Sequence, residues 1–410
     1  MLYSGIIKLF SINPYYIYVM KFVSTLVLFL CFLASCGNDD GPIIEEPKSV
    51  LPEYFGDNID YANLPNYANQ EVPDYITKDN TRGNDITDEG ATLGRVMFYD
   101  KKLSVDNSLA CANCHRQELA FGDDELISKG VNGFTGRHSM RLVNARFGEE
   151  LSFFWDKRAA NLEEQTTQPI QDHIEMGYSG EDGDPSIADL VLKMEAIEYY
   201  PELFFKAFGD SSITEIKIQN ALAQFVRSIQ SFDSKYDEGL ATAGNHNAIF
   251  THYSDEDHAG NLLFSSPGQF DAHGVRTAGG LGCRSCHRPP EFDIDPRSLN
   301  NGVIGSAASA TLDLSVTRAP SLRDLVNLEG EANGHFMHAA IGLGLNDVLD
   351  HYNQIDASDN TNLDLRLRPQ NIAQNLAITE EERLAVIAFL KTLTGTNIYS
   401  DPKWSNPFME

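Results

Sequence analysis

Positive charge is scarce in this sequence. Lys and Arg number 31 against 59 Asp and Glu, a formal net charge of −28. That balance argues against nucleic acid as a partner, because phosphate binding needs clustered positive charge. An acidic surface can instead steer a basic partner protein, or simply keep the chain soluble. Long apolar runs are also lacking. The run Phe22–Leu33 has 12 residues, the length of a signal-peptide core and too short to cross a bilayer comfortably. No length of chain alternates convincingly as a strand, so the expected class is mainly α. No phosphate loop is present: Gly279-Gly280-Leu281-Gly282 is not followed by Gly-Lys-Ser/Thr. Tryptophan occurs twice and cysteine six times in 410 residues, which argues against a disulfide scaffold. Apolar residues make up 42%, so a real core is expected, and the length suits two ordinary domains plus a leader.

Four of the six cysteines fall in two copies of one pattern. The first is Cys111-Ala112-Asn113-Cys114-His115, the second Cys283-Arg284-Ser285-Cys286-His287. Two cysteines two residues apart with histidine directly after is the attachment pattern of c-type haem. Each thiol adds to one vinyl group of the haem, and the histidine reaches the iron from one face. Zinc sites also use Cys-x-x-Cys pairs, but they do not need a histidine immediately after the second cysteine in both copies. Disulfides would compete for the same four cysteines, since Cys31 lies in the apolar leader and Cys36 ends it. The reading is two covalently bound haem c groups.

In chain order, Met20-Lys21 opens a better leader than Met1 does, and the leader ends in Leu33-Ala34-Ser35-Cys36. This resembles the bacterial lipobox, in which the cysteine is lipidated. Small residues before Cys36 favour cleavage over an uncleaved anchor. Residues 1–36 are therefore expected to be removed up to Cys36, leaving an exported chain. It would be lipid-anchored at a membrane, on the periplasmic side or at the cell surface. Residues 37–84, with Pro42, Pro47, Pro52, Pro65 and Pro73, read as a linker. Then the chain repeats itself. Thr87-Asp88-Glu89 starts a helix with Gly94 and Phe98 before the first motif; Ser254-Asp255-Glu256 starts one with Gly260 and Phe264 before the second. An aromatic follows each motif, Phe121 and Phe292. The repeat suggests two packed cytochrome c-like haem domains, over 85–245 and 246–410. Ile218, Leu222, Phe225, Val226 and Ile229 recur at helical spacing as core. Thr379 and Glu382 form a capping box for a last helix, with Gly395 as its stop.

With the motifs placed, the chain over about residues 85–395 resembles the bacterial diheme cytochrome c peroxidase family, which includes MauG-type enzymes. Besides the haem motifs, the resemblance rests on Phe154-Trp155-Asp156-Lys157-Arg158, Leu162-Glu163-Glu164-Gln165 and Ile174-Glu175-Met176-Gly177. Further along come Ala319-Pro320-Ser321-Leu322-Arg323 and Asp350-His351-Tyr352-Asn353. It implies that the haem at His115 meets peroxide while the haem at His287 stores and relays an electron. Trp155 matches the tryptophan between the haems, Glu175 the distal acid that moves protons, and Gln165 an amide that orients peroxide. Where many family members carry a loop histidine that blocks the first iron, this chain has Val131. His138 stands where the family has an asparagine that helps bind calcium, so the Ca2+ site the resemblance suggests is altered. His138 itself reads as core. At the second iron, Tyr352 takes the place of the distal methionine, as in MauG-type enzymes. Met337, His338 and His351 are the competing ligands. His246, His252, His258 and His273 read as surface residues.

The expected function is a peroxidase that reduces hydrogen peroxide to water with electrons from a small redox protein such as a cytochrome c. The rival is a MauG-type enzyme that spends the same oxidising equivalents on a residue of a partner protein. A third reading is a non-catalytic electron-transfer cytochrome. A homodimer is compatible with all three.

Overall fold

Helix starts coincide with capping side chains. The computed structural model describes residues 48–409 except 307–310, 319, 343 and 359; the leader and Cys36 lie outside the described residues. The α-helices among them are α1 Leu51–Phe55, α2 Asp88–Tyr99, α3 Leu162–Thr167, α4 Ile187–Glu195, α5 Tyr199–Phe208, α6 Glu215–Ser228, α7 Lys235–Ala243, α8 Asp255–Ser265, α9 Leu345–Asn353 and α10 Glu380–Lys391. Among the described residues strands occur only as short antiparallel ribbons: β1 Lys129–Gly130 with β2 Gly133–Phe134, β3 Gly268–Phe270 with β4 Arg276–Gly279, and β5 His287–Arg288 with β6 Asp293–Ile294. The class is mainly α, as expected. Thr87 caps α2 by accepting from Gly90 N, and Ser254 caps α8 by accepting from Asp257 N. Each hydroxyl satisfies a donor the helix cannot use, and the acids in both first turns offset the helix dipole. The Thr379–Glu382 capping box forms, but α10 ends at Lys391 and not at Gly395, and the Thr392 hydroxyl donates back to Phe389 O at 2.6 Å.

The repeat seen along the chain is a repeat of helix crossings. In α2, Gly94 lies directly on the backbone of α6, where a Cβ would overlap Ala221 O; in α8, Gly260 meets Ala385 O of α10 in the same way. One turn on, Phe98 packs on Phe225 at 5.1 Å between ring centroids, and Phe264 on Phe389 at 5.2 Å. A glycine lets the backbones touch, and the aromatic pair fills the space beside the contact. The aromatics that follow the two motifs complete each set. Phe121 lies 6.0 Å from Phe98, and Phe292 lies 5.8 Å from Phe264. Both carry positive φ, 59° and 57°, a costly conformation for a bulky residue that the surrounding rings hold in place.

Buried side chains form two large clusters. One contains α2, α5 and α6; the other contains α7, α8 and α10. Membership of the two clusters does not change over at residue 245. Tyr236 and Leu240 of α7 belong to the second cluster, whereas Ile398 and Trp404 near the C-terminus return to the first. Nor is the stretch before Asn84 a free linker from Leu51 onward. Leu51, Phe55 and Tyr67 are buried in the first cluster, and Gln70 Nε2 donates to Ser228 O at 2.9 Å. The prolines prevent long helices there, but the apolar side chains between them still find cores to enter. Among the described residues no helix is long and apolar enough to cross a membrane.

Candidate haem and peroxide site

Each Cys-x-x-Cys-His motif begins with a 3-10 turn, Cys111–Asn113 and Cys283–Ser285. Cys114 N donates to Cys111 O at 3.1 Å and Cys286 N to Cys283 O at 3.1 Å. None of the four motif cysteines is joined in a disulfide among the described residues. Burial raises their pKa values, to about 12 for Cys111, 11 for Cys114 and 12 for Cys283, with Cys286 also raised. No group of three or more His, Cys, Asp or Glu among the described residues is placed to hold a metal ion. Burial also pushes His115 and His287 down to about 4, leaving neutral imidazoles, the form that ligates iron. Nδ1 of each is buried without a hydrogen-bond partner of ordinary geometry.

Beside the first motif opens a cavity of about 500 Å³. Cys111, Cys114 and His115 line it together with Trp155, Gln165 and Glu175, so the first motif and all three residues expected to be catalytic share one space. Its apolar walls include Phe98, Leu142, Val143, Phe153, Leu222 and Val226. Two arginines on the wall were not found from sequence. Arg141 and Arg318 are brought to the cavity from either side of the second motif, each with a buried Nε lacking an acceptor, and neither has an ion-pair partner among the described residues. Burial lowers both, to about 10, so they remain charged at neutral pH. A buried guanidinium without a directly bonded counter-charge is costly, and here only the longer-range charges of Asp324 on Arg141 and of Glu150 and Asp293 on Arg318 offset burial. This lining fits a haem, which is flat and apolar with two carboxylates on one edge: the apolar walls would hold its rings, Cys111 and Cys114 would bond to it, and Arg141 and Arg318 would meet its carboxylates.

Glu175 follows a short loop whose Asp172 carboxylate accepts from Glu175 N at 3.0 Å. Burial pushes the Glu175 carboxyl up to about 7; Asp172 adds to the rise and Arg158 opposes it. Gln165 stands on α3, which Asn161 caps by accepting from Glu164 N at 2.8 Å. Val131 sits on the turn between β1 and β2, where its N–H donates to Glu175 O at 3.0 Å.

Trp155 occupies the tip of a tight hairpin closed by the Phe153–Ala159 bridge. Its indole N–H donates to His138 O at 2.8 Å, and its own carbonyl accepts from Thr317 N at 2.9 Å and Arg318 N at 3.0 Å. The ring lies 6.2 Å from that of His338. Trp155 thus touches the first cavity on one side and residues that follow the second motif on the other. His138 is buried, with Nδ1 2.8 Å from Glu125 O.

At the second motif, Cys283, Met337 and Tyr352 all pack on the second cluster. Burial raises the Tyr352 phenol well above its ordinary value, and the Cys286 and Cys283 thiols add to the rise, while a hydrogen bond from Asn301 opposes it. Asn301 Nδ2 also reaches Met337 Sδ at 3.5 Å, and Asn301 O lies 3.0 Å from His351 Nε2. One asparagine therefore touches three of the four candidate ligands. His338 is turned elsewhere, with Nε2 3.0 Å from Gly305 O. Asn301 carries no local signal in the sequence, because nothing in its neighbourhood marks it as different from other loop asparagines.

The chain is similar to known proteins over most of its length. The family model described as di-haem cytochrome c peroxidase matches residues 88–245. A methylamine utilization protein MauG from Methylophilus methylotrophus is 30% identical over 342 residues, 82% of this chain and 90% of that protein. A cytochrome c551 peroxidase from Nitrosomonas europaea is 27% identical over 308 residues, 74% of this chain and 80% of the relative. Among solved structures, a MauG-like protein associated with microbial copper homeostasis superposes with a TM-score of 0.64 at 27% identity, covering 83% of this chain and 99% of that one. Such identity, sustained over most of both chains, is more than a likeness of fold: the chain belongs to the di-haem cytochrome c peroxidase family.

Proposed function

We propose that the protein reduces hydrogen peroxide at the cavity beside His115, with electrons that arrive through the haem at His287 from a small redox protein. The observation that carries this reading is Glu175, held near neutrality by burial at about 7 in the same cavity as Cys111, Cys114 and His115. The haem held by Cys111, Cys114 and His115 supplies the redox-active iron that peroxide chemistry needs. Glu175 takes a proton from one peroxide oxygen and delivers it to the other, which leaves as water. Two electrons and two protons in all convert one peroxide to two waters. A pKa close to the working pH lets one carboxyl act as both base and acid. Gln165 orients the peroxide by hydrogen bonding. Trp155 carries the electron between the two haem sites, because its ring borders the first cavity and lies beside His338 near the second.

The rival is MauG-type modification of a partner protein. It is favoured by Tyr352, which stands beside Cys283 and Cys286 and would be placed to help hold the second haem, and by Val131, which cannot ligate an iron. Steady-state turnover of peroxide with reduced cytochrome c separates the readings: rapid for a peroxidase, slight for a MauG-type enzyme and none for an electron carrier. Electron paramagnetic resonance of the resting protein is expected to show one high-spin and one low-spin ferric haem, and Tyr352→Phe to change only the low-spin signal. A low-spin signal unmoved by that change makes Met337 or His351 the ligand and removes the main support for the rival.

Haem content provides the prior test. Two covalent haems per chain are expected by pyridine haemochrome assay and haem-stained denaturing gels. Cys283→Ala with Cys286→Ala should leave one. Haem lost on denaturation of the unmodified protein would overturn the assignment of both motifs.

A further inference from the structure

Three tyrosines lie in line between the first haem motif and the protein surface, and the chemistry above does not use them. Tyr199 and Tyr200 open α5 and are fully buried, each 0% exposed. Both hydroxyls donate to the same oxygen, Asp100 Oδ2, at 2.6 and 2.7 Å. Their ring centroids are 4.7 Å apart, and Tyr54 of α1 lies a further 4.7 Å from Tyr199. Tyr54 is half-exposed, and its hydroxyl donates to Glu198 Oε2 at 3.0 Å. Asp100 ends α2, the helix that leads to Cys111, and Cys111 packs against the same buried cluster that holds Tyr199 and Tyr200.

We propose that Tyr200, Tyr199 and Tyr54 form a relay that carries oxidising equivalents from the first haem site to the surface at Tyr54. A buried carboxylate needs donors, and that need alone explains one phenol on Asp100. It does not explain a second phenol on the same oxygen, nor a third ring that continues the line to solvent with a carboxylate of its own. Oxidising a phenol at neutral pH requires that its proton leave with the electron, so each ring needs a base within hydrogen-bond reach. All three have one. Tyr200 gives an electron to the peroxide-oxidised site and its hydroxyl proton to Asp100. Tyr199 then gives an electron to Tyr200, and the shared Asp100 oxygen returns a proton to Tyr200 as it takes one from Tyr199. Tyr54 restores Tyr199 in turn and passes its own proton to Glu198. The net loss from Tyr54 is one electron, which reaches the first site, and one proton, which stays on Glu198; a second event follows only once the small redox protein has re-reduced Tyr54, and the two protons that peroxide needs come from water at the first site. Lys102 Nζ stands 4.9 Å from the Tyr199 ring centre and 5.9 Å from that of Tyr54. Its positive charge disfavours an electron-deficient Tyr199 more than Tyr54, which directs the oxidising equivalent outward.

This relay rests on peroxide reacting at the first site, so the test follows both. The holoenzyme is mixed with hydrogen peroxide and a nitroso spin trap without added reductant. Peroxide loss is recorded in the same samples, and trapped residues are located by peptide mass spectrometry. The expected adduct is on Tyr54. Tyr199→Phe, which breaks the line, and Glu198→Gln, which removes the terminal base, should each lower it by about tenfold or more. Peroxide consumption with an added reductant should stay at the unmodified rate in both. Glu198 is at the surface, so that variant decides the matter if Tyr199→Phe fails to fold. Peroxide consumed with no adduct on Tyr54, or an adduct undiminished by either change, overturns the relay alone. Peroxide left untouched by the unmodified holoenzyme overturns the peroxidase reading and the relay with it.

Discussion

Replacing Glu175 by glutamine is expected to slow peroxide cleavage by about 10²–10⁴-fold, the usual contribution of a positioned acid or base. Glutamine keeps the size and the hydrogen-bonding capacity of the side chain but cannot carry a proton from one oxygen to the other. Both haem spectra should be almost unchanged, because Glu175 is not proposed to ligate iron. The pH dependence supplies a second measurement. Burial pushes the carboxyl up to about 7, so the base form, which must accept the first proton, increases as pH rises through neutrality. The second-order rate of peroxide reaction in stopped flow should therefore rise between pH 6 and 8, centred on about 7, and this rise should vanish in Glu175→Gln. Unmodified rates in the variant would remove Glu175 from the mechanism.

The largest effect on stability is expected at Arg323, in the Ala-Pro-Ser-Leu-Arg stretch that supported the family resemblance. Its guanidinium is 0% exposed and Asp237 of α7 is 4% exposed. Two hydrogen bonds join them, at 2.7 and 2.9 Å, and Tyr75 OH donates to the same carboxylate at 2.7 Å. Phe232, Tyr236 and Phe292 surround the guanidinium. Arg323→Met leaves the Asp237 charge buried without its partner, which costs about 3–5 kcal/mol. Changing Asp237 to leucine as well should recover much of the loss, because it removes the stranded charge. For Asp237, burial acts to raise the pKa and Arg323 to lower it, with lowering the net result. A depressed carboxyl contributes stability that is present above the ordinary aspartate range and is lost as pH falls through the folded value. The gap between the unmodified protein and Arg323→Met should accordingly narrow on acidification. Denaturant unfolding at neutral and acid pH checks both statements, and a single variant within about 1 kcal/mol of the unmodified protein would show that the pair is not isolated from water as described.

The features legible in the sequence were those set by short-range chemistry. Cys-x-x-Cys-His is readable because two thioether bonds and an axial ligand must come from five consecutive residues. The caps at Thr87, Ser254 and Thr379 are readable because a cap and the N–H it accepts from are three residues apart. The pairing of Gly94 with Phe98 and Gly260 with Phe264 is readable because both members share one helix face. Even Glu175 was visible, but only through its place in an ordered series of motifs.

What the tertiary structure decided depends on residues far apart in the chain. Ala221 and Phe225 meet Gly94 and Phe98 only when α6 crosses α2, and no local pattern in either helix names the other. The segment after Leu51 resembles a linker by its prolines, yet it is ordered because Phe55 and Tyr67 find a core formed by residues well over a hundred positions away. Arg141 and Arg318 are ordinary arginines in the sequence and become cavity residues when folding buries them with no ion-pair partner among the described residues. Tyr54, Tyr199 and Tyr200 form a line only because α1 packs on α5. The value of about 7 for Glu175 likewise comes from desolvation by the walls around it. Covalent attachment and hydrogen bonding to the next turn act over a few residues and leave a mark in the sequence; exclusion of water is produced jointly by distant segments and exists only in the folded protein.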